Sequence, residues 1–213
     1  MQSTLLLALA GLCLAAASSA APQKIDFTSG CKQNRSAELK ALADADQKDR
    51  PDNVLAAGAQ ERDLARRKRV GEIFGEGCLR TGKDYENAAL VFQHGTDPEH
   101  YLQTYIWAAH AVALGDEDAQ WLISRGIDRY LMHIGRKQLY ATQSFGTDGG
   151  CSCLWPVEKT STDDDRRLIG APTVAEQLKE IDGENEGKLC GHAGECAVEA
   201  APTPKGSIPG VAW

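Results

Sequence analysis

The chain predicts an all-α protein, a compact antiparallel helical bundle or a set of stacked helical hairpins, with an irregular disulfide-linked C-terminal extension. Three observations carry that reading. Apolar residues recur at three- and four-residue spacing in five successive segments between Asn34 and Gly135. The same region shows no two-residue alternation of the kind a half-buried strand requires. Four of the seven cysteines fall in a final third rich in Gly, Pro and Asp.

The first helical segment runs from Asn34 to Arg50 with Leu39, Leu42 and Ala43 on its apolar face, and Pro51 ends it by disfavouring helical geometry at Arg50. A second runs from about Asn53 to Phe74, closed by Gly75 and Gly77. Its basic run Arg66-Arg67-Lys68-Arg69 reads as a solvated face offset by Glu61, Asp63 and Glu72. In the third, capped by Asp84 and ended by Gly95, Tyr85, Ala88, Ala89 and Phe92 form a stripe while Leu90 and Val91 lie off it. A helix apolar on several sides belongs at the centre of a bundle.

The fourth opens at Thr96-Asp97-Pro98-Glu99, where Thr and Glu have capping-box spacing and Pro sits at an early helical position. Leu102, Tyr105, Ile106, Ala109 and Ala113 define its expected inner face, and Gly115 stops it. Asp116 caps the fifth, with Ile123, Ile127, Tyr130 and Ile134 in register up to Gly135. No tandem repeat of fixed period is evident, so a solenoid ranks behind a bundle.

Beyond Phe145 the composition changes. Gly146 to Gly150, the Cys-Ser-Cys triplet, Trp155-Pro156 and Asp163-Asp164-Asp165 favour irregular backbone. One short helix is expected from Thr173 to Ile181, since Thr173 and Glu176 again have capping-box spacing. The resulting organisation is a signal peptide over 1–20, a helical domain over 21–145, a cysteine-containing, loop-rich extension over 146–199 and a disordered tail over 200–213.

The signal peptide is read from the apolar run Leu5 to Ala17 and the small residues Ser18-Ser19-Ala20-Ala21, with cleavage after Ala20 or Ala21. Its n-region carries no Lys or Arg. Cys13 raises lipoprotein processing, against which the bulky Leu12 argues. No other stretch approaches the roughly 20 apolar residues of a membrane span. The mature chain is therefore expected in the periplasm or outside the cell.

Thirty acidic residues against 23 basic give a net charge of -7, which opposes binding to a phosphate backbone. Once the leader is removed, Cys31, Cys78, Cys151, Cys153, Cys190 and Cys196 remain, an even set that reads as disulfides in an exported chain. Chain position pairs Cys31 with Cys78 and joins the 151/153 pair to the 190/196 pair. A zinc site built from the last four with His192 is the rival, but spacings of one and five intervening residues fit structural zinc poorly, so no metal is expected.

Polar residues in awkward places supply the functional lead. Continuing the stripe of Leu39, Leu42 and Ala43 by helical steps reaches Asp46 and then Arg50, which can pair at i, i+4 spacing. Gln47 and Asp49 crowd the same turn. Gln93-His94 ends the central helix, Asp128-Arg129 lies within the fifth, and Gln138 and Gln143 follow it. Asp46, Gln47, Arg50, His94, Asp128, Arg129, Gln138 and Gln143 form the candidate cluster.

These residues also carry a resemblance. Asp46-Gln47-x-x-Arg50, Gln93-His94-Gly95 followed by Asp97-Pro98, Asp128-Arg129, and Gln138-x-Tyr140-x-Thr142-Gln143 resemble the motifs of a bacterial domain family of unknown function. The resemblance spans residues 36 to 143 and leaves the cysteine-rich tail outside. The family has Gly where this chain has Ala141. It implies no activity, only that these polar residues belong together.

Each candidate also has a structural role open to it. Asp46 with Arg50 reads as an ion pair tying helices together, His94 as a cation favoured at a helix C-terminus, and the glutamines as loop hydrogen-bonders. No nucleophile elbow, zinc helix, phosphate-cradling glycine loop or calcium loop is present, and no cofactor motif is found. Three functions follow. The first is a binding module whose polar groove takes a peptide, a glycan fragment or another protein's surface; the second is a hydrolase or lyase using His94 with Asp46 or Asp128 as acid and base; the third is a structural envelope protein.

Overall fold

The computed structural model describes residues 30–51, 55–147 and 149–204. The proposed leader with its cleavage site and residues 205–213 lie outside them. Five helices come first: α1 (Ser36–Lys48), α2 (Ala59–Gly75), α3 (Gly82–Phe92), α4 (Pro98–Ala113) and, after a short 3-10 turn over Glu117–Ala119, α5 (Gln120–His133). Strands β1 (Ser144–Gly146) and β2 (Ser152–Leu154) follow, then α6 (Asp163–Leu168) and α7 (Val174–Glu184). Among the described residues no helix is long and apolar enough to cross a membrane.

Helix α3 packs against α1, α2 and α4, which makes it the centre of the helical part. Ala88, Ala89 and Val91 are buried on it, so apolar residues on more than one side do correspond to a central position. Around them Leu39 of α1, Val70 and Ile73 of α2, Trp107 of α4 and Leu122 of α5 close the main core. Burying such side chains contributes on the order of 1.5–3 kcal/mol each.

The inner faces of α4 and α5 differ from expectation. On α4 it is Tyr101, Thr104, Trp107, Ala108 and Ala111 that are buried, whereas Ile106 is exposed. Trp107 decides the rotation by stacking between Phe74 and Phe92 at centroid distances of 5.4 and 4.7 Å. Thr104 is tolerated inside because its hydroxyl donates to the His100 carbonyl at 3.1 Å. On α5 the buried side carries Leu122, Ile127 and Leu131, and Ile134 is exposed. A Cβ at Gly126 would meet Tyr105 N at 2.8 Å, so glycine there permits the close crossing of α4 and α5.

Helix starts are set by the expected chemistry, with shifts of register. Thr81, not Asp84, is the N-cap of α3, and Asp84 closes the capping box from the third helical position. Asp97 caps α4, and the His100 side chain takes the reciprocal role expected of Glu99. Thr173 with Glu176 opens α7 as the sequence predicts.

The extension is more ordered than its composition suggests. Strands β1 and β2 form an antiparallel pair with Phe145 opposite Cys153, so the Cys-Ser-Cys triplet lies partly in a strand. The Asp163-Asp164-Asp165 run opens helix α6, because Thr162 and Asp165 make a capping box. Cys31 is bonded to Cys78, Cys151 to Cys190 and Cys153 to Cys196. The four cysteines that a zinc site would need are thus consumed, and three disulfides indicate an oxidising compartment. Ala201 pairs with Arg136, and Thr203 is fully buried with its amide donating to Glu158, so disorder beginning at residue 200 does not hold for these positions.

Candidate functional site

Asp46 follows Leu39 and Ala43 on the buried face of α1 and has no solvent exposure. Such a carboxylate requires bonded cations or donors. Arg50 Nη1 reaches its Oδ1 at 3.1 Å, Gln47 Nε2 its Oδ2 at 2.9 Å, and His94 Nδ1 the same Oδ2 at 2.7 Å. Because a carboxylate only accepts, the imidazole proton resides on Nδ1 and the neutral ring carries its lone pair on Nε2. Burial lowers the His94 pKa below the ordinary imidazole value; Asp46 opposes the shift, and Arg50 and Arg129 add to it. His94 is therefore poised as the neutral base around pH 7.

The turn that bears His94 is clamped from three sides. Arg129 of α5 donates to the Gln93 carbonyl, Arg67 of α2 to the His94 carbonyl at 3.0 Å, and Tyr101 of α4 to the Gly95 carbonyl at 2.6 Å. Gly95 is required there, since a Cβ would stand 2.3 Å from His100 Cβ. Consecutive carbonyls thus bind side chains from three helices, which fixes the turn that carries the imidazole.

Behind this turn a second network positions Arg129. Its Nε donates to Gln143 Oε1 at 3.0 Å. Gln138, fully buried, accepts from Gln143 N at 2.8 Å and donates to the Gln143 and Trp155 carbonyls. Asp128 accepts from Leu139 N, Tyr140 N, Thr142 N and Thr142 Oγ1 at 2.8–3.1 Å. Burial pushes the Asp128 carboxyl up to about 6 against the pull of those donors. Ala141, in this loop, has φ 59°, the left-handed region that glycine favours.

A cavity of about 300 Å³ opens beside His94, and Arg50, Arg67, Arg129, Tyr101 and His133 line it with Asp63. Tyr101 and His133 stack at 4.5 Å, and Arg129 lies 5.8 Å from the Tyr101 ring. Asp63 is engaged by Arg50 and Arg66, so it adds little free negative charge. Guanidinium groups thus dominate a wall that also carries two imidazoles, His94 and His133. No family model, curated protein or solved structure matches the chain.

Of the sequence-derived cluster, Asp46, Gln47, Arg50 and His94 are joined directly, and Arg129 and Gln143 meet them through the Gln93 carbonyl. Asp128 and Gln138 instead fold the loop beneath, so Asp128 bonds to backbone and Thr142 rather than to His94. The solvated reading of the basic run is overturned for two members: Arg66 and Arg67 are each only 6% exposed. Arg66 pairs with Asp49 and Asp63, and Arg67 faces the cavity. Asp63, Tyr101 and His133 were also absent from the sequence-derived set. Among the described residues, no group of three or more His, Cys, Asp or Glu is placed to hold a metal.

Proposed function

We propose that the protein is an exported acid–base enzyme of the periplasm or extracellular space, a hydrolase or lyase in which His94 is the general base. The supporting observation is the 2.7 Å contact of His94 Nδ1 with buried Asp46 at the wall of the cavity. Asp46 holds the ring in one tautomer and stabilises the imidazolium that forms when Nε2 takes a proton. In hydrolysis that proton comes from water, whose oxygen attacks the substrate, and the imidazolium returns it to the leaving group as the scissile bond breaks; in elimination it comes from a carbon acid, and the imidazolium gives it to the group that departs from the neighbouring carbon. Guanidinium groups in the wall stabilise the oxyanion that develops in either case. Thr96 lines the cavity, but its hydroxyl donates to Asp97 at 3.3 Å, so activated water suits the site better than a covalent nucleophile.

The binding module read first from the sequence would use the same cavity without turnover, and the resemblance to the bacterial family groups the same residues. Turnover on a panel of esters, amides, glycosides and phosphoesters separates the two. Replacing His94 with Gln is expected to lower kcat/KM by roughly 10²–10⁴-fold with the fold intact. Activity should be flat above pH 6.5 and fall on a single acid limb below it, because only the unprotonated ring is a base and its pKa is depressed. Equal turnover by H94Q would remove His94 as the base, and a wild type that turns over no member of the panel would remove the enzyme reading.

A further inference from the structure

Around the cavity, charges balance except at two places. Arg50 is met by Asp46 and Asp63, Arg62 by Asp49, and Arg66 by Asp49 and Asp63. Three guanidiniums therefore share three carboxylates. Arg67 and Arg129 have no carboxylate within 4 Å among the described residues. Arg67 is 6% exposed, its Nε is without a hydrogen-bond partner, and its bond to protein goes to the neutral His94 carbonyl. Arg129 bonds to Gln143 Oε1 and the Gln93 carbonyl, both neutral. Those two carbonyls belong to consecutive residues, and both guanidiniums line the same cavity as His94.

A buried guanidinium without a counter-charge is costly, and clamping two neutral carbonyls does not itself call for the charge that Arg67, 6% exposed, and the half-buried Arg129 bring here. Arg67 could anchor the His94 carbonyl equally well as a neutral donor. Two forks carrying five donors each, only partly used, suit the planar or tetrahedral arrangement of oxyanion oxygens. The space of about 300 Å³ lies at the small end of ligand cavities.

We infer that the cavity takes a small doubly charged oxyanion group, a phosphate or a pair of carboxylates, bound between Arg67 and Arg129. This rests on the proposed function for its site and names the substrate class, though binding can be measured without turnover. The anion places the reacting centre within reach of His94 Nε2. With a net charge of -7 on the whole chain, attraction must come from the local wall rather than from the bulk field.

Titration calorimetry with inorganic phosphate, malonate and acetate, at fixed ionic strength, tests the inference. Wild-type protein should bind phosphate or malonate and discriminate against acetate, and whichever dianion binds identifies the source of the charge. R67Q and R129Q should each weaken that binding by roughly 10- to 100-fold, the loss expected for a charge-assisted hydrogen bond. R67K and R129K keep the charge and lose the fork, and serve if the Gln variants do not fold; either should weaken binding measurably. Dianion binding undiminished in H94Q while turnover disappears would confirm both readings, and binding by a wild type that turns nothing over would sink the enzyme reading alone. No binding of either dianion, or binding indifferent to Arg67 and Arg129, would overturn the inference.

Discussion

A carboxylate sealed from solvent keeps its charge only if cations and donors surround it, and Asp46 is met by a guanidinium, an amide and an imidazole. Asp46→Asn removes the charge while preserving shape. It leaves Arg50 with Asp63 alone and lets the His94 ring adopt either tautomer. We expect it to cost roughly 3–5 kcal/mol, read as a lowered melting temperature; an unmoved melting curve would show that the pair does not tie α1 to the site. Asp46 and Arg50 were legible because the apolar stripe of α1 runs into them. Arg66, Arg67 and Asp63 were equally legible in principle: the stripe of Val70 and Ile73, extended backwards along α2, lands on them. Four consecutive basic residues suggested a solvated face instead; the partners that hold two of them inside are distant in the chain, Asp46 and Asp49 for Arg66 and the His94 carbonyl for Arg67, beyond the reach of local pattern.

At the scale of the element, the loop between α5 and β1 shows why a motif residue and a site residue are different things. Asp128 and Gln138 spend their hydrogen bonds on loop backbone, and through Gln143 that loop holds Arg129. Ala141 sits fully buried within it at positive φ. Ala141→Gly should leave stability within about 1 kcal/mol, since relief of the left-handed strain offsets the loss of a buried methyl. Ala141→Val, branched and larger, should destabilise by roughly 2–3 kcal/mol. Chemical denaturation of both variants checks the contrast, and a Val variant as stable as wild type would contradict the geometry. Strands β1 and β2 escaped the sequence reading because three residues are too few to display alternation. Distant segments hold β2: Cys153 within it and Cys151 beside it are tied to Cys196 and Cys190, and Asn185 bonds to Ser152.

Across the whole molecule, five helices and a cross-linked extension cooperate to hold one turn. The all-helical architecture of the first part was written in residue spacing and capping signals, which are local. Which face of α4 turns inward was not, because Trp107 chooses its side by the aromatic partners that α2 and α3 supply. The extension braces the site from outside: Arg166 donates to the Leu139 carbonyl at 3.2 Å, and Gln138 exchanges backbone bonds with the Trp155–Glu158 segment. The account as a whole stands on the state of one ring, which ¹⁵N-resolved NMR of the histidine side chains across a pH series reports directly. It predicts that His94 carries its proton on Nδ1 near neutrality and titrates below 6.5, so that the stability it lends is complete above that pH and is lost as pH falls through the depressed value. A ring protonated on Nε2, or one that titrates above 6.5, would contradict it.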